Sequence, residues 1–187
     1  MGMDQAALVA VTLALASCSL DPVHEAAVAA LGPERPDVPE GQYHRAGQPC
    51  GVCHSANGPA RTVFTLAGTV FTGEYPRRVG VGGATVDTED DYGGGTCQAV
   101  TNCVGNFFLQ ADRVIDPCDP KFPVWAGVAN PGSSTNDKVM QGHIGREPSC
   151  AFCHWDPPSA SSPGAVIVDF DAGADVSCPV NPVLPGP

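Results

Sequence analysis

The chain is short of basic residues, aromatics, methionines and long apolar runs, and each shortage narrows the classes of function open to it. Nine Lys and Arg stand against 20 Asp and Glu in 187 residues, a formal net charge of −11. That field repels a phosphate backbone and argues against nucleic acid as a partner. Aromatic residues make up 6% of the chain, so a core of side chains alone is modest and a large apolar cofactor would add much to it. Ala6 to Ala16 is an uncharged apolar run of eleven residues, whereas a spanning helix needs roughly 20. No later run comes nearer to crossing a bilayer. Long amphipathic helices are also disfavoured, because 22 Gly and 19 Pro break up the chain and point to turns, short strands and irregular loops.

What is abundant is cysteine. Nine in 187 residues suit an oxidising compartment or a cofactor scaffold. The apolar run ends in Leu15-Ala16-Ser17-Cys18, which resembles the bacterial lipobox, although Met1 to Gln5 carry no Lys or Arg. The resemblance implies export, removal of residues 1–17 and lipid on Cys18. The acyl chains would hold the protein at a membrane surface. Periplasm or cell surface, at the outer membrane of a Gram-negative bacterium, is the expected location.

Residues 18–45 read as a tether, interrupted by Asp21-Pro22, Gly32-Pro33, Arg35-Pro36 and Val38-Pro39, with a short helix over Val23–Leu31. From residue 61 the pattern turns to period two with β-branched residues. Val63–Phe71, Val79–Val86, Val104–Leu109 and Phe122–Val128 are strand candidates, with a Gly93-Gly94-Gly95 turn between them and a last run at Ala165–Phe170. Expected fold class: mainly β, a small sandwich over 61–130 flanked by loop-rich segments with short helices, one at 46–60 and one at 131–187. The Asp87–Asp91 acidic run reads as ordinary solubility in preference to a docking face for a basic redox partner. Trp125 and Tyr92 read as core or turn residues rather than electron relays.

The most specific signal is Cys-x-x-Cys-His, present twice, at Cys50–His54 and Cys150–His154. A c-type haem needs two thiols at fixed spacing for its vinyl groups, and an imidazole immediately after them to reach the iron. Cys50, Cys53 and His54 would hold one haem; Cys150, Cys153 and His154 would hold the other. A redox dithiol leaves the two histidines unexplained. A structural zinc would need one shared four-ligand cluster.

Each iron then needs a sixth ligand or keeps an open position. His44 and His143 sit ten and eleven residues before their proximal histidines, in two similar arms: His44-Arg45-Ala46-Gly47-Gln48-Pro49-Cys50 and His143-Ile144-Gly145-Arg146-Glu147-Pro148-Ser149-Cys150. Met140 is the rival at the second haem, and would raise its potential; His24 is a further candidate. Arg45 and Arg146 would suit haem propionates, or be plain loop charges. The remaining Cys97, Cys103, Cys118 and Cys178 form an even set, expected as Cys97–Cys103 and Cys118–Cys178.

Ala67-Gly68-Thr69-Val70, Val81–Val86 and Thr101–Phe107 resemble the carboxypeptidase-regulatory-like family, which implies a Greek-key sandwich of seven strands serving as a non-catalytic scaffold. The whole arrangement, with Leu31-Gly32-Pro33-Glu34 and the His44–Cys50 arm, is similar to haem-bearing lipoproteins of myxobacteria and related bacteria, and implies haem and location rather than a reaction. The expected function is single-electron transfer between redox partner proteins by a membrane-anchored dihaem cytochrome. A haem-based small-ligand sensor or surface-binding module is the alternative, and a dihaem peroxidase a more distant one.

Overall fold

The fold is taken from a computed structural model, in which residues 21–91, 96–110, 120–135, 137–169 and 177–181 are described. The expected signal segment 1–17, Cys18, Tyr92, the Gly93–Gly95 turn, Cys118 and the Pro182–Pro187 tail lie outside them.

The chain divides into two units, 1–33 and 34–187. In the first, helix α1 spans Pro22–Ala30. The Asp21 carboxylate caps it, accepting from the Val23 and His24 backbone N–H groups at 3.1 and 3.0 Å. Pro22 occupies the first position, where its missing N–H costs nothing.

The second unit contains eight strands among the described residues: β1 Leu66–Thr72, β2 Val79–Gly80, β3 Thr85–Asp90, β4 Thr96–Val100, β5 Asn106–Leu109, β6 Val124–Ala129, β7 Lys138–Val139 and β8 Val166–Ile167. They form two sheets. One runs β2-β1-β5 with β8 also on β1; the other runs β4-β3-β6-β7. Every pair is antiparallel except β1 with β8. The fold is mainly β, as the sequence pattern predicts.

The sheets share one core. Leu66, Val70, Phe107 and Leu109 from the first meet Val86, Cys97 and Val128 from the second, joined by Val81, Ala84 and Val168. Leu66, Val70, Val81 and Val168 are fully buried, each stabilising the fold by about 1.5–3 kcal/mol. β1 is central to its sheet. Its Val70 N–H donates to Gly105 and its Val70 carbonyl accepts from Val81, while Ala67 N–H donates to Pro148 and the Phe71 carbonyl accepts from Val168. Ladder partners on both edges and a core on its face explain why Leu66–Phe71 is buried without a break.

Three expectations need correction. The tether does not extend to residue 45, because the compact unit begins at Glu34. Val38, at 7% exposure, packs with Val104 and Val180 beside Tyr43 and Ala46. The acidic run is not one solvated face either: it lies largely in β3, whose alternation buries Asp90 and exposes Glu89.

The disulfide pairing also differs. Cys103 bonds to Cys178, with Cα atoms 5.6 Å apart, so neither Cys97–Cys103 nor Cys118–Cys178 forms. Cys97 is itself disulfide-bonded. It opens β4 facing the core, and the extended strand carries the chain roughly 10 Å from it by Val100. Two bridged Cα atoms stay within about 7 Å. Cys103 instead lies against the Val38–Val104–Val180 cluster, where Cys178 meets it.

Candidate functional site

Both Cys-x-x-Cys-His motifs fold the same way. Pro49 and Ser149 enter extended, at φ −72°, ψ 95° and φ −112°, ψ 115°. A single 3-10 turn follows in each, Cys50–Val52 and Cys150–Phe152. The Cys50 carbonyl accepts from Cys53 N–H at 3.1 Å and His54 N–H at 2.9 Å; the Cys150 carbonyl accepts from Cys153 at 3.1 Å and His154 at 2.8 Å. One carbonyl thus draws the second cysteine and the histidine to the first cysteine.

The two histidines are oriented alike. His54 Nδ1 lies 2.9 Å from the Thr62 carbonyl and His154 Nδ1 lies 3.0 Å from the Gly164 carbonyl. A carbonyl can only accept, so each imidazole donates from Nδ1 and carries its lone pair on Nε2. Fixing the tautomer through the far nitrogen is how a protein aims a metal-ligating histidine. Neither carbonyl is marked by a sequence motif, since backbone acceptors leave no compositional trace.

In the first arm, His44 comes within 5.9 Å of His54, centroid to centroid, with the rings tilted by 58°. Two imidazoles on one metal, each with its nitrogen at about 2 Å, have centroids roughly 6 Å apart. His44 Nδ1 is buried with no hydrogen-bond partner, its nearest acid being Glu34 Oε1 at 3.6 Å. Burial lowers the pKa of His44 below the usual histidine value, against the opposing pull of Glu34. Burial thus favours the neutral ring, the state a metal ligand requires. Its backbone is fixed as well: the His44 carbonyl accepts from Asn106 Nδ2 at 3.0 Å, and Asn106 Oδ1 accepts from Thr69 Oγ1 at 2.8 Å. Phe64 stacks on His54 at 4.0 Å and on Phe108 at 5.0 Å.

The second arm faces an apolar cavity of about 330 Å³, within the size range of cofactor pockets. Cys150, Cys153 and His154 line it together with Val128, Val166 and Phe107, and so do both sixth-ligand candidates, His143 and Met140. His143 Nε2 lies 3.0 Å from Asp91 Oδ1 and its ring packs on Trp125 at 4.1 Å. Trp125 is therefore a ring contact of the site rather than a buried core residue. Val139 on the cavity, Phe152 inside the motif and Trp155 just after it are 53, 44 and 39% exposed, which leaves apolar surface that a planar macrocycle would cover.

Arg45, at a φ of 50°, donates to Glu34 Oε1 at 3.0 Å and Gln48 Oε1 at 2.8 Å. Arg146 lies in the exposed loop before the second motif, as a loop charge would. His24 belongs to α1 in the other unit.

Alternative chemistries fit less well. Burial pushes the Cys50 thiol up to about 11 and the Cys150 thiol up to about 12, whereas a redox dithiol works through a thiol of lowered pKa. Among the described residues no group of three or more His, Cys, Asp or Glu is placed to share a metal ion, and a structural zinc takes four ligands. Paired cysteines with a single aimed imidazole are what a covalent haem requires.

Glycine makes room for the second motif. A side-chain carbon at Gly68 in β1 would lie 2.8 Å from Cys150 Sγ and 2.9 Å from Cys150 Cβ. The position reads from sequence as one more small residue in a strand; only the Cys150 packed over it reveals its use.

Compared with protein-family models, curated proteins and solved structures, the chain matches none.

Proposed function

We propose that the protein is a dihaem c-type cytochrome that passes single electrons, with one haem on Cys50, Cys53 and His54 and the other on Cys150, Cys153 and His154. The observation that carries this is the duplicated geometry. Two identical turns each present a pair of cysteines and an imidazole whose Nδ1 is tied to a backbone carbonyl, with Nε2 left as the ligand atom. When bound, haem supplies a one-electron couple between ferrous and ferric iron. The chain's own part is to hold and shield. His44, whose ring lies 5.9 Å from that of His54, would be the second histidine to hold the first iron. Phe64 covers the His54 ring, and the second cavity offers a largely apolar lining, which would tune a redox potential through the surrounding dielectric.

The cell-surface setting remains part of the proposal, with Cys18 as the lipid anchor and redox proteins as partners. The Cys103–Cys178 disulfide is consistent with an oxidising compartment, and among the described residues no helix is long and apolar enough to cross a membrane.

One observation favours a second reading for the second haem. His143 Nε2 is engaged with Asp91, so an iron there that neither His143 nor Met140 reaches would keep an open position and bind a small ligand. Carbon monoxide added to the reduced protein separates the two. A pure carrier with both irons six-coordinate keeps its spectrum and cycles reversibly between oxidation states. A shift in half the Soret intensity would assign ligand binding to one haem, and failure to cycle would overturn electron transfer.

A further inference from the structure

The two motifs, almost a hundred residues apart in sequence, meet in the fold. Gly51, between the cysteines of the first, donates its backbone N–H to Ser149 Oγ at 2.5 Å. Ser149 is the residue immediately before Cys150, and it is 2% exposed. A side-chain carbon at Gly51 would lie 3.1 Å from Pro148 Cγ and 3.1 Å from Ser149 Oγ, so the contact is close packing as well as one hydrogen bond. Chain geometry across that bond holds the Cα atoms of Cys50 and Cys150 within roughly 11 Å.

Both arms are also fastened to the same strand. Gly47 N–H donates to Thr69 Oγ1 at 2.8 Å. Ala67 N–H donates to the Pro148 carbonyl at 2.7 Å, Ala67 pairs with Ser149, and Cys150 lies over Gly68. Three consecutive residues of β1, Ala67 to Thr69, therefore position both motifs. Ser149 is fixed in turn by its own N–H donating to Glu147 Oε1 at 3.0 Å.

On this arrangement, and resting on the dihaem reading, we propose that the two haem sites form one electronically coupled pair clasped by the Gly51–Ser149 contact, rather than two independent carriers on a shared scaffold. Ser149 is a positioning residue: it touches neither thioether nor iron and sets the separation of the two attachment points. A coupled pair accepts its two electrons at unequal potentials, because reduction of one site changes the charge felt by its neighbour at short range. The first electron is then shared between both sites before it leaves to a partner.

The test uses the exported, haem-loaded full chain. Haem content is measured first by intact mass, then circular dichroism is recorded in the Soret region, for the wild type, Ser149→Ala, Gly51→Ala, and two single-arm variants in which Cys50 and Cys53, or Cys150 and Cys153, are replaced by alanine. The proposal predicts a two-signed Soret couplet in the two-haem wild type, which collapses to a single-signed band in either single-arm variant. The couplet shrinks in Ser149→Ala and Gly51→Ala while two haems are retained. The midpoint potential of the remaining haem shifts when its neighbour is removed. Two haems with no couplet, or potentials unchanged in the single-arm variants, would overturn the coupling and leave the cytochrome reading standing. A wild-type chain carrying no haem overturns both.

Discussion

His54 and His154 commit Nδ1 to carbonyls eight and ten residues further on, so on the proposed reading their Nε2 atoms would be aimed before any iron arrived. The buried groups around them make a prediction about pH in the haem-free, reduced chain. Burial lowers the pKa of His44, so between that value and the unfolded value near 6.5 the unfolded state binds more protons than the folded one. Stability is then fully present above about pH 6.5 and falls as pH drops below it. Cys50 and Cys150 act at the other end. Their thiols are raised to about 11 and about 12 by burial, so the unfolded chain loses protons first and stability falls as pH rises above about 9. Denaturant midpoints measured across pH should give a dome with both flanks. In the haem-loaded protein the alkaline flank disappears, because thioethers do not titrate; a flank that persists after loading would show that these thiols are still free.

At the scale of elements, β1 is both the centre of one sheet and the base for both motifs. Gly68→Ala places a carbon within 3 Å of the Cys150 side chain in the middle of a fully paired strand. It is expected to cost about 1–3 kcal/mol through overpacking and to reduce haem loading at the second motif more than at the first. Loading of each arm, read by peptide mass after digestion, checks this; equal loading would show that Cys150 moves aside freely. Elements with strong period-two patterns are legible in the sequence: β5 falls inside its expected run, and β1 and β6 overrun theirs by one residue, Thr72 and Ala129. The Val79–Val86 run divides instead, because the chain turns at 81–84 to pass from one sheet to the other, giving β2 and β3. β4 and β7 escape because they lie at the edges of their sheet: β4 turns only the small Cys97 and Ala99 inward, and β7 is two exposed residues long. Residues 34–45 read as a tether because proline and glycine mark the absence of helix, not the absence of packing. Val38 makes the difference, and burial of one aliphatic side chain against a distant disulfide leaves no local signal.

For the whole molecule, the Cys103–Cys178 bridge spans 75 residues and closes a loop that includes the entire second motif. Replacing both cysteines by serine is expected to lower stability by about 2–4 kcal/mol, with the loss appearing in chemical denaturation and vanishing when wild type is compared under reducing conditions. The two Cys-x-x-Cys-His segments are legible as motifs, and the fold brings His44 beside His54, the pair that the first arm suggests. The meeting of the two motifs was not legible: it depends on one backbone N–H, one serine hydroxyl and one missing side chain at Gly51. Sequence separation carries no information about such a contact. The similarity of the arms therefore predicts two alike sites, while the fold brings them side by side.

The central claim is covalent attachment of two haems. It is tested most directly by producing the chain from Cys18 onward behind an efficient export signal, with the c-haem maturation machinery present, and counting haem per chain by intact mass and pyridine haemochrome absorbance. The account predicts two haems bound through thioethers at Cys50, Cys53, Cys150 and Cys153. A chain that carries none, while a control cytochrome matures in the same cells, would contradict it and leave a disulfide-bonded β-sandwich with the cysteines of both motifs free.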